Sequence, residues 1–126
     1  MKDGHIISIV DDDASVREST KNLVRSLGHK AVTFDSAEAF LESGDASNTA
    51  CLIADVQMPG MTGLQLQSHL IERGPRIPIV LITAYPEPKI RALALASGAL
   101  GFLSKPFHDE SLITCIDEAL ALRGSA

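Results

Sequence analysis

The chain has 126 residues, 45% of them hydrophobic and 21% charged, with a formal net charge of −5. That size and balance suit one folded domain and exclude a disordered chain, and the negative charge argues against this chain itself holding nucleic acid, which needs Lys and Arg clustered against phosphates. No apolar run approaches the roughly 20 residues of a membrane helix, and Met1 to His5, with Lys2 and Asp3, does not read as a secretory signal, so a cytoplasmic place with no membrane partner is expected.

Five apolar, β-branched runs alternate with five amphipathic stretches. The first strand is predicted at Ile6–Val10, followed by a helix with Val16, Leu23, Val24 and Leu27 on one face, opened by a capping box of Ser15 and Glu18. The second run, Lys30 to Phe34, is less apolar and reads as an edge strand. A helix from about Ser36 to Ser43 follows, capped by Asp35 or Ser36. The third strand, from Cys51 to Ala54, ends at Asp55. Thr62 and Gln65 form a second capping box, opening a helix through Leu66, Leu70 and Ile71. The fourth strand, Ile79 to Ile82, ends at Thr83. Pro86 or Pro88 suits the first turn of the next helix, which carries Ile90, Leu93 and Ala94. The fifth strand, Leu100 to Leu103, ends near Lys105, and the last helix aligns Leu112, Ile113, Ile116, Ala119 and Leu120. Gly28, Gly44, Gly74, Gly98 and Gly124 each stand just past a predicted helix, where glycine can close it in the left-handed conformation.

Strands alternating with helices imply βαβ units, hence a parallel sheet covered on both faces. All strand C-termini then lie along one edge, where ligands bind. Asp11, Asp12 and Asp13 follow the first strand, Asp55 the third, Thr83 the fourth, and Lys105 with Pro106 the fifth; the second ends without such a group. Carboxylates placed together raise one another's pKa, and a divalent cation relieves the conflict. Mg²⁺ suits oxygen donors and keeps several waters. A phosphoryl group would sit between such a cation and Lys105, with a carboxylate as nucleophile and Thr83 as hydrogen-bond donor. Taken singly, an acidic triplet is more often a solvated turn, and Thr83 or Lys105 an ordinary surface residue; their joint placement at four strand ends favours the functional reading. Cys51 and Cys115 have no metal-type spacing and read as buried free thiols, and His5, His29, His69 and His108 show no ligand spacing.

These residues, in four segments, resemble the receiver domains of two-component response regulators over essentially the whole chain. The segments are Val10-Asp11-Asp12-Asp13, Asp55 through Gly63 (DVQMPGMTG), Ile82-Thr83-Ala84, and Gly98 through Phe107 (GALGFLSKPF). The stretch Ser36-Ala37-Glu38-Ala39-Phe40-Leu41 is most similar to the FixJ-type subgroup of LuxR-family regulators. The resemblance implies a flavodoxin-like (βα)5 fold, doubly wound, with a five-stranded parallel sheet in the order 2-1-3-4-5 and helices on both faces. Residues 1–126 would form a single receiver domain, with any C-terminal DNA-binding effector domain lying outside this chain. The resemblance further implies that Asp55 accepts phosphate from a sensor histidine kinase. Asp12, Asp55 and the Gln57 carbonyl would hold Mg²⁺, Asp11 would act mainly through a metal-bound water, and Lys105 would pair with the phosphoryl group. Asp13 would serve the turn, and the Lys105–Pro106 bond is often cis in such domains. Thr83 and Phe102 would form the switch: the hydroxyl turns toward the phosphoryl group, the ring moves inward, and the face of the fourth helix, fifth strand and last helix changes to control homodimerisation or a transcriptional output. Gln57 and Tyr85 would flank the attacking water and tune the acyl-phosphate lifetime. The chain would be no enzyme beyond catalysing its own phosphorylation and dephosphorylation.

Three rivals are weaker. A haloacid-dehalogenase-type phosphatase would use Asp11, Asp13 and Ser15, but the chain is short for one and Asp55 is left unexplained. A flavodoxin-like cofactor carrier lacks its phosphate loop and any Gly-rich dinucleotide signature. A degenerate receiver serving only as an interaction module does not fit the intact acidic set with Lys105.

Overall fold

Five short runs rich in Ile, Val and Leu pair into one parallel sheet because each is apolar on both faces and can bury neither without a covering helix. In the computed structural model the elements are β1 (Ile6–Val10), α1 (Ala14–Ser26), β2 (Lys30–Phe34), α2 (Ala37–Ser43), a 3₁₀ turn (Asp45–Asn48), β3 (Cys51–Asp55), α3 (Gly63–Arg73), β4 (Ile79–Thr83), α4 (Pro88–Ala96), β5 (Gly101–Ser104) and α5 (Asp109–Gly124). The structure describes residues 5–74 and 76–124, so residues 1–4 of the segment read as no secretory signal lie outside the described residues. The sheet order is β2-β1-β3-β4-β5, as expected.

Side chains alternate across the strands and divide the core in two. Ile7, Ile9, Cys51, Ile53, Val80 and Ile82 meet Val24 of α1 and Leu112, Cys115, Ile116 and Ala119 of α5. Val10, Leu52, Ala54, Leu81 and Phe102 meet Ala37 and Phe40 of α2, Leu66 and Leu70 of α3, and Ala94 of α4. Each fully buried Leu or Ile contributes about 1.5–3 kcal/mol, so the central strands carry much of the stabilisation of the core. Cys51 and Cys115 are buried free thiols, and burial pushes the Cys51 thiol up to about 12.

Several local details differ from the sequence expectation. Asp13, not Ser15, caps α1, its carboxylate accepting from the Ser15 and Val16 amides, while Glu18 pairs with Lys21 at 2.9 Å. A carboxylate just ahead of the first turn satisfies two open amides at once, which a serine inside that turn cannot do. Ser36 caps α2, Thr62 and Gln65 form the expected capping box, and Pro88 occupies the first turn of α4. Gly28, Gly44 and Gly98 take positive φ as expected, but Gly74 is extended and Gly124 falls inside α5. β5 starts at Gly101, where Cys115 Sγ stands 2.6 Å from the place a Cβ would take. Ile71 and Leu93 were expected in the apolar faces of α3 and α4, yet each is 55% exposed, because α4 buries only Ala94 and α3 turns Leu66 and Leu70 inward.

Gly63 opens α3 against the end of β3. A Cβ there would clash with the Asp55 carbonyl oxygen and lie 3.1 Å from Val56 Cα, both backbone. Gly63→Ala is therefore expected to destabilise the fold by about 1–3 kcal/mol, the usual cost of overpacking. Urea unfolding measures this, with Gly98→Ala as control: that position has open space and only its positive φ to strain. Equal losses at both positions would count against the clash.

Candidate functional site

Register brings the site together. Val10 pairs with Ala54, Asp55 with Ile82, and Thr83 with Ser104, so the residues that follow β1, β4 and β5 converge on the end of β3. Further bonds fix the strand exits: Val56 N donates to Ile82 O at 2.8 Å, and Lys105 N donates to Thr83 O at 2.8 Å. The Lys105–Pro106 peptide is cis, as the resemblance suggested.

Lys105 Nζ is the hub. It lies 2.9 Å from Asp55 Oδ2 and 3.2 Å from Asp11 Oδ2. Burial pulls its ammonium down, but the Asp55 hydrogen bond and the charges of both carboxylates outweigh that and hold its pKa above the ordinary lysine value. Asp55 is 4% exposed, and its Oδ1 accepts from the Gln57 amide at 3.1 Å. Asp11 is fully buried, with Oδ1 accepting from the Asp13 amide at 2.9 Å. Asp12 is exposed at the mouth. Carboxylate oxygens of Asp11, Asp12 and Asp55 all lie within 4.8 Å of one another.

Three carboxylates thus face one ammonium, and Asp11 Oδ2 makes no hydrogen bond besides its ion pair. An all-oxygen donor set with one exposed member fits a hard divalent cation that retains water. Asp13, by contrast, points to the α1 terminus; its hydrogen bonds from Ser15 and Val16 lower its pKa. The set Asp11, Asp13 and Ser15 of the phosphatase alternative is therefore divided between the site and a helix cap.

Thr83 is fully buried at the end of β4. Its hydroxyl donates to Gln57 Oε1 and accepts from the Tyr85 amide at 3.0 Å. Phe102 is buried in the cluster of α2, α3 and α4, while Tyr85 is exposed. Three participants escaped the sequence reading. Arg17 Nη1 donates to the Asp11 carbonyl at 2.6 Å, and Glu38 Oε2 accepts from the Met61 amide at 2.8 Å, tying α2 to the loop after Asp55. Gly60 takes φ +77 beneath that carboxylate. Sequence held a trace of the second in Glu38 and Gly60, but nothing there says that they meet. The third is the hydrogen bond that the Gln57 side chain accepts from Thr83; Gln57 itself was expected, through its carbonyl as a metal ligand and as a residue flanking the attacking water.

The chain matches the family described as Response regulator receiver domain over residues 7–117. It is 43% identical over 117 residues to the response regulator protein TmoT of Ectopseudomonas mendocina, covering 93% of this chain and 53% of that protein. It is 35% identical over 117 residues to the transcriptional regulatory protein FixJ of Bradyrhizobium diazoefficiens, covering 93% of this chain and 57% of that one. Among solved structures, the response regulator StyR superposes with a TM-score of 0.89 at 41% identity, covering 97% of this chain and 62% of StyR. The chain spans about half the length of the curated relatives it matches.

Burial, together with repulsion from Asp55, pushes the Asp11 carboxyl from 3.8 up to about 6, against the opposing Asp13 amide and Lys105. A folded-state pKa above the unfolded one means that the native protein binds the proton more tightly, so Asp11 costs stability progressively as pH rises from about 4 to 6. Asp11→Asn keeps the Asp13 hydrogen bond and removes the charge. In metal-free buffer at pH 7 it is expected to stabilise the fold by about 1–3 kcal/mol and to raise the thermal midpoint by roughly 5 °C or more. Mg²⁺ should stabilise the wild type and narrow the gap. A lower midpoint for the variant without metal would overturn this account.

Proposed function

This chain belongs to the response regulator receiver domains, and from that premise we propose that Asp55 is the phosphoacceptor of its switch, with Lys105 and Thr83 as its partners. The carrying observation is the buried Asp55 carboxylate hydrogen-bonded to Lys105 beside Asp11 and Asp12. Receiver domains of two-component response regulators are signalling switches set by phosphorylation. Here an Asp55 oxygen would form the new O–P bond as the N–P bond of a kinase phosphohistidine breaks and the imidazole leaves with the electron pair. Lys105, already within hydrogen-bond reach of Asp55 Oδ2, neutralises charge on the phosphoryl oxygens. Mg²⁺, held by Asp12, Asp55 and the Gln57 carbonyl, with Asp11 acting through a water, would supply the further neutralisation that three carboxylates and a phosphoryl group require. The chain turns over no substrate beyond its own phosphoryl group.

The output is proposed to run through Thr83 and Phe102 to the face of α4, β5 and α5. Leu93 and Leu95 are exposed on α4, which supports a phosphorylation-dependent homodimer there. The relatives are longer, and FixJ and its like are transcriptional regulators by name. A DNA-binding effector domain beyond residue 126 and a cytoplasmic location are therefore proposed as well; among the described residues no helix is long and apolar enough to cross a membrane.

Intact-mass measurement after incubation with acetyl phosphate and Mg²⁺ is expected to show one added phosphoryl group, absent without metal and absent in Asp55→Asn. A gain that survives in Asp55→Asn would move the nucleophile elsewhere, with Asp11 the first suspect. Thr83→Ala is expected to accept phosphate yet dimerise less on phosphorylation, read by sedimentation. Dimerisation equal to wild type would remove Thr83 from the switch.

A further inference from the structure

We infer that the Gln57 side chain is a latch that holds Thr83 away from the phosphoryl position and so sets how readily this receiver activates. A threonine hydroxyl carries one proton and can donate one hydrogen bond. Thr83 gives that proton to Gln57 Oε1 at 2.5 Å, while its oxygen accepts from the Tyr85 amide at 3.0 Å. A phosphoryl oxygen on Asp55 would need the same proton. The two acceptors compete for it, and the hydroxyl cannot serve both.

The surroundings make the competition specific. Gln57 is tethered to the nucleophile, because its amide donates to Asp55 Oδ1 at 3.1 Å. Gln57 follows β3 and Thr83 ends β4, adjoining strands joined by the bond from Val56 N to Ile82 O. Gln57 is exposed whereas Thr83 is fully buried. Water can therefore reach the glutamine end and release it. A single neutral hydrogen bond is weak enough to open and strong enough to bias a two-state population several-fold. A receiver whose competent state is only partly populated binds its activating group more weakly by that fraction. Gln57 acts through Thr83 and is a positioning residue.

The proposal rests on Asp55 being the phosphoacceptor, and its test separates the two. Beryllofluoride with Mg²⁺ mimics an aspartyl phosphate and binds reversibly, so its affinity, followed by NMR titration, reads the bias without hydrolysis. Gln57→Met removes the acceptor but keeps the side-chain length and the backbone carbonyl. It is expected to tighten beryllofluoride binding roughly three- to tenfold, the size of one neutral hydrogen bond. In a Thr83→Ala background the same substitution should change nothing, and in a Thr83→Ser background, which restores the donor, the tightening should return. No tightening in the single variant, or equal tightening in the Thr83→Ala background, would overturn the latch. Failure of the wild type to bind at all would overturn the phosphoacceptor reading, and the latch with it.

Discussion

Three carboxylates and one ammonium share the C-terminal edge of the sheet, and the rest of the molecule is arranged to keep them there. Left to themselves Asp11, Asp12 and Asp55 would separate, because like charges this close repel. Lys105 bridges two of them from the far side of the sheet, reaching back from beyond β5 to residues that follow β1 and end β3. That bridge leaves negative charge uncompensated and Asp11 Oδ2 poorly satisfied. On the proposed reading, the native state carries a site whose cost would fall on binding a divalent cation, a common compromise between stability and function.

Holding such a site requires stiff walls. The central strands are buried on both faces, so the strand exits have little freedom. The loops beyond are tied individually. Asp13 spends its carboxylate on the start of α1, Thr62 and Gln65 close the start of α3, and Glu38 reaches from α2 to the Met61 amide. Gly63 lets α3 approach the Asp55 carbonyl as closely as backbone allows. None of these groups touches a phosphoryl group in the proposed chemistry, yet each limits where Asp55 and Gln57 can be.

Against that rigid frame, the movable part is small. Thr83 is held by two hydrogen bonds, one to backbone and one to an exposed side chain, and only the second is readily exchanged. A switch built on that one exchangeable hydrogen bond, as proposed, would differ by little energy between its states and would let a single phosphoryl group decide between them. The exposed leucines of α4 lie on an element that buries little beyond Ala94, so that helix is the one with least to lose by shifting.

Much of this was written in the sequence. Alternation of β-branched runs with amphipathic stretches forces a parallel sheet, and a parallel sheet forces Asp11, Asp12, Asp55, Thr83 and Lys105 to one edge; local composition and strand direction suffice for that. The capping box at Thr62 and the cap at Ser36 were legible because they depend on neighbours three residues apart. The cap of α1 was misplaced because Asp13 and Ser15 both satisfy the local pattern, and only the path of the chain out of β1 selects between them. The exposure of Ile71 and Leu93 was hidden for a related reason: helical periodicity shows that an apolar stripe exists, not how much of it the neighbouring elements cover. Sequence by itself thus determined the alternating strands and helices, the strand exits and the inventory of charged groups, while the strand order came from the family resemblance. Tertiary structure alone decided which groups are paired: Lys105 with Asp55 and Asp11, Glu38 with Met61, Arg17 with the Asp11 carbonyl, and Thr83 with Gln57. Those bonds join residues on separate elements, and their formation depends on distances of a few tenths of an ångström that no spacing along the chain encodes.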